Sequence, residues 1–174
     1  PKCNKANRLY MRLYMYGDTL CYYTAPESNM TSFTTGGICL LPSNNGYYAF
    51  DIYKNVIYVV LFSTTYNLIY LIKKDITIVD PLYIGPVSGP SIYKFIALRC
   101  AYSFAYNKLY VGGWWDGGSL SEQGVICIDL SNLTWDVVKT GGPCDSLDIS
   151  ACGKYLLVGY NHNAEVYDAN TFEY

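Results

Sequence analysis

A chain of 174 residues with 12 Lys and Arg against 14 Asp and Glu carries a net charge of −2 and a pI near 5.3. That balance offers no basic footprint to a phosphate backbone, so nucleic acid is not an expected partner. The longest apolar run, residues 56–62, falls well short of the roughly 18 residues a spanning helix needs, and no charged segment followed by an apolar core opens the sequence, so no membrane span is expected.

Hydrophobic residues make up 51% of the chain and charged ones only 15%, below the roughly 25% usual in soluble globular chains. Twenty tyrosines fill the gap, and with Val, Ile and Thr they favour a pleated, half-buried surface, which predicts an all-β fold. A surface with few carboxylates changes its charge little as pH falls, which suits an extracellular or acidic setting. Seven cysteines without a C-x-x-C pair argue against a zinc site and permit disulfides in an oxidising compartment. Their odd number leaves at least one thiol free or paired with another chain. The sequence opens at Pro1 rather than Met, as a mature product or a portion of a longer polypeptide does.

Taken in order, the chain repeats itself. Leu9-Tyr10-Met11, Ile57-Tyr58-Val59, Leu109-Tyr110-Val111 and Tyr155-Leu156-Leu157 recur at intervals of 48, 52 and 46 residues. Each follows a polar turn: Ala6-Asn7-Arg8, Lys54-Asn55, Asn107-Lys108 and Cys152-Gly153-Lys154. Strand-like runs precede three of these turns, at 48–52, 102–106 and 146–150, and a third run follows each motif, at 20–23, 68–72, 125–128 and 165–167. A fourth comes after a short turn at 31–34, 76–79 and 134–139, and begins again at 171–174. Two echoes support this register: Thr35-Gly36-Gly37-Ile38-Cys39 returns as Thr140-Gly141-Gly142-Pro143-Cys144, and Ser28-Asn29-Met30-Thr31 as Ser131-Asn132-Leu133-Thr134.

Four short strands in each unit of about 40 to 50 residues describe the blades of a β-propeller, antiparallel sheets stacked face to face. Stacking explains why both faces of the middle strands are apolar. The expected division is a partial blade at 1–37, blades at 38–89 and 90–142, and an incomplete blade at 143–174. About three and a half blades do not close a ring, so missing blades or further chains are expected to complete it.

Asn107-Lys-Leu-Tyr-Val-Gly112, then Val125-Ile-Cys-Ile-Asp-Leu-Ser-Asn132 and Gly141-Gly-Pro143, resemble the YVTN-type β-propeller repeat. The match is good over 100–174, fair over 46–89 and weak before that. It departs from the pattern at Lys73-Lys74-Asp75 and in a Pro/Gly-rich connection at 80–99. The resemblance implies a fold and leaves function open, since such propellers serve as enzymes, adhesins and scaffolds. It also implies that the loop bearing Trp114, Trp115 and Asp116 lies at the mouth of the central channel. Paired indoles beside a carboxylate suit a sugar or a protein hot spot, and the alternative is that Trp114 packs between blades while Trp115 covers the loop.

Catalytic chemistry is sparse. The single histidine, His162, lies in a turn, and no nucleophile elbow or phosphate-cradling loop is present. Asp129 and Asp168 recur at one place and read as Asx turns. Asn29-Met-Thr31 and Asn132-Leu-Thr134 fit the N-glycosylation pattern. Cys100 and Cys144 open innermost strands of adjacent blades and so form a candidate disulfide.

These features predict a non-enzymatic, extracytoplasmic propeller without cofactor or metal. It would be a structural or attachment module of a cell surface or virion, binding a protein or glycan through its loops at 80–99 and 112–124. Its composition is similar to that of surface and virion proteins from hot acidic habitats. The alternatives are a quinoprotein-like or lactonase-like propeller enzyme with its site in the channel, and an intracellular scaffold.

Overall fold

The computed structural model describes residues 2–4, 9–16, 19–26, 34–40, 46–63, 68–75, 82–87, 95–115, 124–139, 142–160 and 162–174. Within them the chain forms four antiparallel sheets in sequence order. The first holds β1 (Lys2–Asn4), β2 (Leu9–Tyr16), β3 (Thr19–Pro26) and β4 (Thr34–Leu40). The second holds β5 (Gly46–Tyr53), β6 (Val56–Ser63), β7 (Leu68–Asp75) and β8 (Leu82–Val87). The third holds β9 (Phe95–Ser103), β10 (Lys108–Trp115), β11 (Gly124–Asp129) and β12 (Thr134–Lys139), and the fourth β13 (Cys144–Ile149), β14 (Tyr155–Tyr160) and β15 (Asn163–Asp168). Each sheet is a simple meander. The first strands of neighbouring sheets, β1, β5, β9 and β13, lie against one another in turn, so these edges gather at a common centre.

Packing between sheets forms the core. Tyr58, Val60 and Phe62 of β6 face Phe95, Leu109 and Ile126 of the third sheet, all buried. Tyr58 stacks on Tyr102 at 4.3 Å and Phe62 meets Phe95 at 4.9 Å. The opposite face of β6, Ile57, Val59 and Leu61, is also buried. At about 1.5–3 kcal/mol for each fully buried aliphatic side chain, these faces outweigh the net contribution of about 1 kcal/mol from a backbone hydrogen bond. Tyr110 and Val125 of the third sheet pack in the same way on Leu156 and Val158 of the fourth. Here polar ties add to the contact: Tyr110 donates its hydroxyl to the Ala169 carbonyl, and Ser103 Oγ donates to the Gly153 carbonyl at 2.5 Å.

Turns recur with the sheets. Connections from first to second strand contain one left-handed residue each in the last three sheets, Lys54 (φ 54°), Asn107 (φ 54°) and Gly153 (φ 76°). Such positions suit Asn and Gly and strain Lys. Asp129 and Asp168 act as the repeat implies. Asp129 Oδ1 accepts the Ser131 N–H at 2.7 Å, Asp168 Oδ1 accepts the Asn170 N–H at 2.7 Å, and each turn closes on a left-handed residue, Leu133 or Phe172.

Several strand limits differ from the sequence reading. In the second sheet the fourth strand is β8 at Leu82–Val87, inside the stretch read as a connection, while 76–79 lie outside the described residues. In the first sheet the fourth strand is Thr34–Leu40, so the Thr35–Cys39 motif lies within a strand, three residues past the expected limit at 37, whereas Pro143-Cys144 enters an inner strand. Both misplaced strands are outermost in their sheets and both carry a register irregularity beside glycine. An outer edge tolerates the Pro86 and Gly85 that read as loop signals, because no further strand needs their donors or side chains.

The fourth sheet slips by one residue against the sequence alignment. Lys108 pairs with Asp129 and Tyr155 with Asp168, so Leu156, not Tyr155, is the counterpart of Leu109. A one-residue slip exchanges the two faces of a strand. Accordingly Leu156 and Val158 are buried while Tyr155 and Leu157 are 52% and 45% exposed.

Gly112 marks a close sheet-to-sheet approach. A Cβ there would meet Cys144 Sγ at 2.5 Å. Gly112→Ala is expected to destabilise the chain by about 1–3 kcal/mol through overpacking. In urea unfolding, the Gly112→Ala/Cys144→Ala pair should lose less than the sum of the single variants.

Candidate functional site

The inner edges of the sheets line a cavity of about 830 Å³. It runs beside β5, β9 and β13 and extends over β14 and β15 of the fourth sheet, where Leu157 and Ala164 line it, so Asp51, Arg99, Tyr102, Asp148, Tyr160 and His162 border one space. Asp51 is tied on both oxygens. Oδ1 accepts the N–H of Ile52 at 2.9 Å, and Oδ2 accepts the N–H of Tyr102, on the next inner strand, at 2.8 Å. Asp148 repeats the first of these bonds, accepting the Ile149 N–H at 2.9 Å. The cavity wall therefore mixes fixed carboxylates with the Arg99 guanidinium and phenol rings. His162 is exposed in a left-handed turn (φ 67°). Among the described residues no group of three or more His, Cys, Asp or Glu is gathered to hold a metal ion, and no helix is long and apolar enough to cross a membrane.

The tryptophan site lies elsewhere. Trp114 and Trp115 end β10 in register with Ile96 and Phe95, just past a bulge between Gly112 and Gly113. Trp114 is 37% exposed and does not border the cavity, and Asp116 lies outside the described residues. Asn132 is exposed in the β11–β12 turn, where its Oδ1 accepts the Thr134 N–H at 3.0 Å and the Thr134 hydroxyl at 2.6 Å. Asn29 lies outside the described residues.

The candidate disulfide is not formed. Cys144 is a free thiol, donating Sγ–H to the Ser146 carbonyl at 3.2 Å. The strand registers explain why. Cys100 pairs with Val111 and faces the second sheet, whereas Cys144 pairs with Tyr160 and faces the third, so the third sheet itself lies between the two side chains. Cys100 is thus the counterpart of Leu147, three places from Cys144.

Burial pushes the Cys144 thiol up to about 12. Cys152, exposed in the β13–β14 turn, is shifted down, chiefly by its hydrogen bond with Ser150. Glu165 gathers two phenols, those of Tyr160 and Tyr167, and these bonds hold its carboxyl below the ordinary 4.5.

The Asp-Ile pair of 51–52 and 148–149 was a signal available in the sequence, since it recurs in two runs already aligned as first strands. A recurrence of apolar runs does not single out a carboxylate that lies within them. Arg99 carries no such repeat.

No family model and no curated protein matches the sequence. Solved structures do match the fold. A 6-phosphogluconolactonase candidate from Bacteroides uniformis is similar at a TM-score of 0.54 with 15% identity, over 88% of this chain and 45% of its own. A phage phi92 endosialidase is similar at 0.54 with 16% identity, over 87% and 28%. A complex of KlAtg21 with the coiled coil of AgAtg16 gives 0.52 with 10% identity, over 91% and 52%. The chain thus spans about half the length of these structures or less. With propellers among these neighbours and four radially stacked antiparallel meanders in hand, this is a β-propeller fold.

Two expectations follow. Iodoacetamide at neutral pH should alkylate Cys152 and leave Cys144 unmodified until the chain is unfolded, as read by peptide mass spectrometry. Glu165, whose folded pKa is depressed, stabilises the fold above its ordinary value and ceases to do so as pH falls through the folded pKa. The melting temperature of the wild type should therefore fall more steeply from about pH 5 to pH 3 than that of Glu165→Gln.

Proposed function

We propose that this chain is part of a YVTN-type β-propeller that acts outside the cytoplasm as a structural or attachment module of a cell surface or virion, holding a protein or glycan through its loops. The observation that carries this reading is Trp114. It leaves an indole 37% exposed at the end of a strand whose Leu109, Tyr110 and Val111 are fully buried. A rigid strand fixes the ring, and an aromatic face kept in water is well suited to stack on a sugar or to anchor a protein contact. A phage endosialidase among the similar structures is in keeping with a virion and a glycan. The exposed Asn132-Leu133-Thr134 turn fits the same setting as a glycan acceptor.

The test is a glycan array probed with the wild type and Trp114→Ala. The wild type should bind a defined subset, and the variant should lose about tenfold or more in affinity with its thermal unfolding unchanged. Equal binding by both would remove Trp114 from the site. Native peptide 124–139 should carry a glycan mass that Asn132→Gln abolishes.

The cavity favours a second reading, a propeller enzyme with its site in the channel, in keeping with the lactonase candidate among the similar structures. Turnover of a sugar lactone that is lost in Arg99→Ala and retained in Trp114→Ala would select it.

A further inference from the structure

The inner strands β9 and β13 lie side by side, and each brings a charged residue to the cavity at nearly the same level. Arg99 pairs with Gly112 and Ser146 with Gly159, which are corresponding places in the third and fourth sheets. Asp145 is the bulge residue just before Ser146, so it stands one step from the level of Arg99 on the neighbouring strand. Its Oδ1 lies 3.7 Å from where a Cβ on Gly159 would be, and that Cβ would strike the Ser146 side chain at 2.9 Å. Glycine there keeps the space beside Asp145 clear. Both charges also reach the Cys144 thiol, Arg99 favouring its ionised form and Asp145 opposing it.

These two groups differ from the other charges of the wall. Asp51 has both oxygens bonded to backbone amides, and Asp148 has one on the Ile149 N–H. Arg99 gives one N–H to the Leu98 carbonyl at 3.0 Å and keeps the rest of its fork. Among the described residues Asp145 accepts no hydrogen bond, and no ion pair joins it to Arg99. A guanidinium and a carboxylate left apart on adjacent strands are complementary to a molecule that carries both opposite charges. Its carboxylate takes the planar fork and its ammonium takes Asp145. Once one pair has formed, the second closes within the same molecule, so the two together hold what either exposed pair alone would release to water.

Further along the strands, rings enter the same space: Tyr102 of β9, and the stacked Tyr53 and Phe104, whose centroids are 4.7 Å apart. A flat apolar side chain finds cover there. A ligand of net negative charge fits less well, because Asp51, Asp145 and Asp148 outnumber the one guanidinium.

We propose that the cavity binds a free amino acid with an aromatic side chain, its carboxylate on Arg99, its ammonium on Asp145 and its ring toward Tyr53, Tyr102 and Phe104. The site needs neither Trp114 nor a catalytic step, so it stands apart from both readings above.

Calorimetric titration of the 174-residue chain with L-phenylalanine tests it. Saturable binding is expected, weakened about tenfold or more in N-acetyl-phenylalanine, which has lost the ammonium, and in phenylalanine amide, which has lost the carboxylate. Glycine, with both charges and no ring, should also bind about tenfold or more weakly. Arg99→Gln should bind the amino acid and its amide alike, Asp145→Asn the amino acid and its N-acetyl form alike, and Trp114→Ala should match the wild type. Since the ligand series uses the wild type, the outcome does not depend on either charge variant folding. No saturable binding of L-phenylalanine at millimolar concentration overturns the proposal. So does equal binding of phenylalanine, its amide and its N-acetyl form by the wild type, or a glycine affinity equal to that of phenylalanine.

Discussion

A twisted sheet whose two faces are both apolar must be covered twice, and that constraint organises this molecule. The second and third sheets meet it fully, with Ile57 and Tyr58 on successive positions of one strand both buried though they face opposite ways. No single meander could satisfy such a strand. The chain answers by laying copies of one motif side by side, so that each sheet serves as core for its neighbours, and the inner edges are drawn together as a result. The central cavity is thus a by-product of the packing, before any ligand is considered.

The polar contacts between sheets are fewer and more individual than the apolar ones. The second sheet reaches the third through an aspartate and a backbone amide, and the third reaches the fourth through a serine, a tyrosine hydroxyl and the Lys108 ammonium, which donates to Asn170. Apolar contact supplies most of the attraction between the sheets, and these bonds fix their relative level along the axis, since a hydrogen bond is lost over a displacement that leaves an aliphatic contact largely intact. Different residues can meet that need, which is why the apolar pattern recurs so much more faithfully than the polar one.

Much of the architecture was legible because burial writes a period into the sequence. The middle strands of the last three sheets, and the Asx turns at Asp129 and Asp168, follow from recurring apolar motifs and the turn chemistry beside them. Outer strands were harder to read. They need less burial and tolerate Gly and Pro, so β4 and β8 carry the same residue types as loops. The slip at Tyr155 has another cause: two adjacent apolar residues, Tyr155 and Leu156, fit one template, and only pairing with Asp168 decides between them. The cavity was the least visible, because its residues come from three inner strands, from β14 and β15 and from the turns beside them, and no single segment carries a motif. Trp114 and Trp115 read as loop residues in the sequence, whereas their place at the end of β10 depends on pairing with Ile96 and Phe95, and the separation of Trp114 from the cavity depends on the stacking of whole sheets.

The inner strands of the third and fourth sheets share a bulge at the same level. Leu98 is the extra residue in one, between Ala97 and Arg99, and Asp145 in the other, between Cys144 and Ser146. The insertion lets Ala97 and Cys144 keep to the packed faces while the side chains beside them, Arg99 in one strand and Asp145 and Ser146 in the other, border the cavity. At that level the chain can exchange charge, size and polarity without touching the surfaces that hold the blades together. Divergence among chains built on this plan, or deliberate redesign of one, would find its widest freedom in this ring of displaced residues.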